Sequence, residues 1–125
     1  MKAQFHSKLI LEPLPDGRNW RVMRPFSFST NDFLTVVPVG FVTDLASVPK
    51  IFWDILPPFG KYTEAAVVHD WLYRRQFTTR KFADGCLRAG MKACGVPRWQ
   101  VVVIYYAVRW FGRHAWNDDS RKIPQ

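Results

Sequence analysis

The chain has 125 residues, is 48% hydrophobic and 16% aromatic, and carries a formal net charge of +8. That length allows one compact domain, and the apolar content argues against a disordered chain. The longest apolar run, Val101 to Val108, is eight residues, far short of the ~20 a membrane span needs, and residues 1–30 hold no signal-peptide core.

Taken in order, residues 1–45 read as β-rich. Lys8 to Leu14 is mostly apolar and ends in the turn cluster Pro13, Pro15, Asp16 and Gly17. Trp20 to Phe28 alternates loosely and is broken at Pro25. Phe33 to Val42 is rich in Val, Phe and Thr, with Pro38 and Gly40 inside it. Such interruptions suit edge strands or bulges in a small antiparallel meander. Residues 46–62 form a Pro-rich loop in which Pro57, Pro58 and Gly60 forbid regular structure.

Residues 63–116 read as helical. Thr63 is an N-cap candidate for Glu64 to Arg75, and Thr78 or Thr79 for a second helix to about Cys94, stopped by Gly95 and Pro97. The first two helices then make a hairpin. A third helix spans Arg98 to Phe111, with Trp99, Val102, Val103, Tyr106 and Trp110 on one face and Val101, Ile104, Tyr105 and Val108 opposite. A helix apolar on both sides is either central or faces a partner. Residues 117–125 read as a tail, with Asp118 and Asp119 solvated. The expected class is α+β: an N-terminal antiparallel β-meander, then a three-helix C-terminal half, in a single domain. Cys86 and Cys94, eight residues apart on one helix, would be about 12 Å apart, too far for a disulfide, and read as thiols of a reducing compartment.

The residues with most chemistry are His69, Asp70 and Tyr73 on the first helix and Asp84 on the second. His69 and Tyr73, four apart, share a face. His69 and Asp84 lie at roughly equal distance, about 10 Å and 9 Å, from the hairpin end. Asp84 can then hydrogen-bond one imidazole nitrogen while the other takes a proton from water, a general-base pair. Asp70, with carbonyls of the Gly60 loop, suits calcium acting as a Lewis acid. Asp44 is a further candidate carboxylate. The alternative is that His69 is a satisfied, partly buried group and that Asp84 is solvated beside Lys81 and Arg88 at i−3 and i+4.

Two resemblances follow from these motifs. Gly40-Phe41-Val42-Thr43-Asp44-Leu45-Ala46-Ser47-Val48-Pro49, then His69-Asp70-Trp71-Leu72-Tyr73, then Ala83-Asp84, resemble a family of short phage and prophage proteins classed as a domain of unknown function. The order Leu56-Pro57-Pro58-Phe59-Gly60, His69-Asp70, Tyr73, Asp84 is similar to viral phospholipase A2 domains. That likeness implies a metal-dependent hydrolase in which His69 activates water, Asp84 orients it, and Asp70 and the Gly60 loop bind calcium. The glycine-rich metal loop of that family is represented here by Gly60 alone. The other expectation is a non-catalytic virion or tail-assembly protein whose HD-x-x-Y core is structural.

The charge is uneven. Residues 1–62 hold seven Lys/Arg against five acids, and residues 63–125 eleven against five. With the Trp/Tyr/Arg segment this points to an anionic lipid surface or another phage virion protein as partner, ahead of sequence-specific nucleic acid. Oligomer formation is compatible with the same face. The expected setting is the host cytoplasm or the virion.

Overall fold

The computed structural model describes residues 1–44 and 61–123. The β-rich part forms six short strands: β1 (Gln4–Phe5), β2 (Leu11–Pro13), β3 (Trp20–Val22), β4 (Phe26–Ser29), β5 (Leu34–Val37) and β6 (Val42–Thr43). All pairings are antiparallel, in two three-stranded sheets ordered β1-β4-β5 and β2-β3-β6. The run Trp20 to Phe28 therefore splits between sheets. Pro25, which has no N–H to give a ladder, stands between β3 and β4. Alternation along the strands turns Phe26, Phe28, Thr35 and Val37 inward and leaves Leu34 and Val36 exposed.

Among the described residues the helices are α1 (Thr63–Arg75), α2 (Arg80–Ala93), α3 (Arg98–Phe111) and the short α4 (Arg113–Asn117), followed by a 3₁₀ turn at Asp119–Arg121. The fold is thus α+β, with strands first and three main helices after. Thr63 is the first helical residue of α1, and the cap is Tyr62, which makes no side-chain capping bond. Thr79 does cap α2, accepting from the Phe82 amide at 3.0 Å. Gln76 ends α1 in the left-handed region at φ 55°, and its amide donates to the Leu72 carbonyl. That sharp end sends the chain back along α1 as α2.

α1 is the centre of the described fold, with every residue from Ala65 to Tyr73 buried. One core cluster sets Val22, Phe26, Phe28, Val37 and Phe41 of the sheet region against Ala66, Val67, Trp71 and Leu72 of α1. The Trp71 indole N–H donates to Thr35 Oγ1 at 3.0 Å, so its one polar atom is satisfied inside. A second cluster joins Tyr62 and Ala65 to Leu87 and Met91 of α2 and Val101, Ile104 and Val108 of α3. Gly90 lets α1 and α2 approach: a Cβ there would lie 3.0 Å from that of Ala65. α3 is not buried on both sides. Its Val101, Ile104, Ala107 and Val108 side is buried and its Trp99, Val102, Val103, Tyr106 and Trp110 side is exposed. The segment after α3 is not a free tail, because the Ile123 amide donates to the Arg74 carbonyl at 2.8 Å.

Candidate functional site

Two buried carboxylates organise the polar interior of the helical half, one at Asp84 and one at Asp70. Both residues are fully buried. A buried carboxylate is tolerated only when its oxygens are hydrogen-bonded and its charge is paired.

The Asp84 site is built by the α1–α2 hairpin. His69 and Tyr73 lie one turn apart on the face of α1 that meets α2, and their rings touch at 4.2 Å between centroids. His69 donates from Nε2 to Asp84 Oδ1 at 2.7 Å, and the Tyr73 hydroxyl donates to the same oxygen at 2.6 Å. The second oxygen, Oδ2, receives Arg109 Nη1 at 2.6 Å and Arg80 Nη1 at 3.5 Å. Arg109 reaches in from α3, so this one carboxylate joins all three main helices. Arg80 is itself held by the carbonyls of Val108 and Arg109, each at 3.0 Å. Burial pushes the Asp84 carboxyl up. The His69 hydrogen bond and charge, with the bonds from Tyr73 and Arg109, outweigh it and hold Asp84 below the usual carboxylate range. The Tyr73 phenol is driven far above its ordinary value by burial and by the negative charge of Asp84, so it serves as a neutral donor. His69 has no exposed surface.

The Asp70 site faces the other way from α1, toward β6 and the chain end. Thr43 Oγ1 donates to Oδ2 at 2.6 Å, Arg121 Nη2 donates to Oδ1 at 2.8 Å, and Arg74 Nε lies 3.3 Å from Oδ2. Asp44 belongs to the same cluster, through Arg121 at 3.2 Å and Arg74 at 3.4 Å. Burial raises the Asp70 carboxyl above its usual range, against the pull of Arg74, the Thr43 hydrogen bond and Arg121.

The sequence candidates therefore fall into two groups. His69, Tyr73 and Asp84 are brought into direct contact, and Asp70 and Asp44 are brought together through shared arginines. Gly60 lies outside the described residues. Asp84 is buried, not solvated; its charge partners are Arg80 and Arg109, and the side chains of Lys81 and Arg88 are exposed. Arg80 carried a readable signal, since i−4 is a helical neighbour. Arg109, Arg121 and Thr43 carried none, being 25 to 77 positions distant from the carboxylates they bind. Gly112 is another residue that only the fold reveals: a Cβ there would stand 2.6 Å from the Tyr73 hydroxyl and 2.5 Å from the Val108 carbonyl.

Among the described residues, the surroundings of Asp70 do not fit a calcium ion. Calcium takes six to eight oxygen ligands, whereas the two Asp70 oxygens here accept from Thr43 and Arg121, and the paired Arg121 and Arg74 guanidinium groups repel a cation. Among the described residues no group of three or more His, Cys, Asp or Glu stands ready to hold a metal. No helix among them is long and apolar enough to cross a membrane.

The two carboxylate clusters, set in a helical hairpin behind two small sheets, define a domain class rather than an activity. The chain belongs to the family described as "Protein of unknown function (DUF1353)", whose model matches residues 20–108. It is also 38% identical over 103 residues to "Uncharacterized protein y4jT" of Sinorhizobium fredii (strain NBRC 101917 / NGR234). That match covers 80% of this chain and 30% of the relative, so the chain spans less than a third of the relative's length. No solved structure matches the chain.

Proposed function

We propose that this chain is a non-catalytic interaction domain in which the HD-x-x-Y core is a structural network. One observation carries this reading: every oxygen of Asp84 and Asp70 accepts from protein donors, and His69 is fully buried against Asp84. The negative charge of Asp84 is already paired with two guanidinium groups. The resemblance to phage and prophage proteins supports a setting in virion or tail assembly, with the host cytoplasm or virion as location. The occurrence of a related segment within a much longer relative supports a modular role.

A second reading is favoured by the 2.7 Å contact of His69 with Asp84 and by Tyr73 on the same oxygen. It is a phospholipase A2-type hydrolase with His69 as base, Asp84 as its orienting partner and Tyr73 supporting Asp84. The two are separated by fatty-acid release from phosphatidylglycerol vesicles, with and without calcium, using wild type and His69→Ala. The interaction-domain reading expects no release above background from either protein. Release by wild type that is lost in a folded His69→Ala variant overturns it.

A further inference from the structure

The exposed face of α3 is a large apolar surface that none of the described residues covers. Trp99, Val102, Val103, Tyr106, Trp110 and Phe111 are all more than 40% exposed, Trp110 at 72%. Positions 99, 102, 103, 106 and 110 recur at i, i+3, i+4, i+7 and i+11, which makes one continuous stripe about 16 Å long. Apolar patches of this kind mark interaction sites. Beside the stripe, a groove of about 500 Å³ between α2 and α3 is lined by Arg88, Lys92 and Arg98 together with Val102, Tyr105 and Tyr106. The Arg88 guanidinium lies 4.4 Å over the Tyr105 ring, which holds its charge at the groove wall.

Charge selects the occupant. From Arg80 to Asn117 the sole acid is Asp84, which is buried and paired. Arg88, Lys92 and Arg98 line the groove and are exposed, so its wall is positive. A second copy of the chain would set that wall against a like wall. A flat bilayer surface would meet the stripe and leave the groove empty. A helix carrying bulky apolar side chains fills both, and acids on its flanks meet the positive wall.

We propose that this face of α3, with the adjoining α2–α3 groove, docks an acidic amphipathic helix of a partner protein. Its apolar side chains at i, i+3, i+4 and i+7 lie along the stripe, and its Asp or Glu side chains face Arg88, Lys92 and Arg98. This rests on the interaction-domain reading and adds where the partner sits and what chemistry it carries. The test selects binders to the full chain from a displayed library of helical peptides about 18 residues long. Enriched peptides are expected to combine that apolar spacing with flanking acids. Trp110→Ala and Tyr106→Ala, both at exposed positions, should each weaken them about tenfold. The double variant Arg88→Glu/Arg98→Glu should abolish their binding and select basic peptides instead. Three results overturn the proposal: no enrichment, enrichment without acids, or selected peptides that bind all variants equally. It is also overturned if Trp110→Ala dissolves a dimer seen by sedimentation, or removes binding to phosphatidylglycerol vesicles, while no peptide is selected. The vesicle-hydrolysis assay decides the non-catalytic reading by itself, so the two can fail separately.

Discussion

Asp84→Asn is the sharpest test of the network, because it keeps the shape of the side chain and removes its charge. The carboxylate has no exposed surface, while the side chains of Arg80 and Arg109 are 17% and 27% exposed. The amide of Asn can accept on one side only, and its NH₂ meets either the His69 and Tyr73 donors or the two guanidinium groups. Breaking a buried pair by removing one partner costs about 3–5 kcal/mol. At about 4 °C per kcal/mol for a chain of this size, the melting temperature should fall by roughly 12–20 °C. Urea denaturation followed by tryptophan fluorescence gives the free energy directly. The pH dependence supplies a second reading. The Asp84 carboxyl is depressed in the folded chain, since the bonds from His69, Tyr73 and Arg109 outweigh burial. A depressed carboxylate contributes stability that is complete above its unfolded value, near 3.9, and is lost as pH falls through the lower folded value. The gap between wild type and Asp84→Asn should therefore be full at pH 7, start to shrink below about pH 4 and keep closing on further acidification. Adding Arg109→Met to Asp84→Asn should recover part of the loss, with a coupling of about 1–3 kcal/mol. A loss under about 1 kcal/mol, or a gap unchanged down to pH 3, would refute the reasoning.

Other expectations follow from neighbouring groups. Arg121→Ala removes the 2.8 Å partner of buried Asp70 and the 3.2 Å partner of Asp44, and should cost about 3 kcal/mol in urea; full stability would mean that the chain end is not bound to α1. Gly112→Ala places a Cβ 2.6 Å from the Tyr73 hydroxyl and 2.5 Å from a backbone carbonyl, so a loss of about 1–3 kcal/mol is expected, against nothing measurable if that approach is not close. Burial pushes the Cys86 thiol up to about 12, and burial with the charge of Glu64 pushes Cys94 up to about 11. Both should react slowly with a disulfide reagent at pH 8 and rapidly in urea; fast labelling of the native chain would contradict their environment.

Local pattern alone accounts for much of the helical half. The limits of α3 follow from Pro97 before it and Gly112 after it, and the cap of α2 follows from Thr79. The level placement of His69, Tyr73 and Asp84 follows from the 1.5 Å rise of two antiparallel helices, because a short turn fixes register between neighbours. The β-rich half was legible as strands but not as two sheets, since Pro25 marks a break without saying which partner each strand finds. The aromatic stripe of α3 was visible as periodicity, yet both of its faces are apolar in sequence, and only packing against Leu87 and Met91 chose which one is buried.

The sequence by itself determined the α+β order, the helical hairpin and the residues that could form a His–Asp pair, all of which depend on spacing within about fifteen positions. Tertiary structure decided what those residues mean. Arg109 and Arg121 arrive from 25 and 51 positions away to neutralise Asp84 and Asp70, and no local periodicity encodes such contacts. A buried carboxylate must find its counter-charge wherever the fold supplies it, and here the fold supplies arginine.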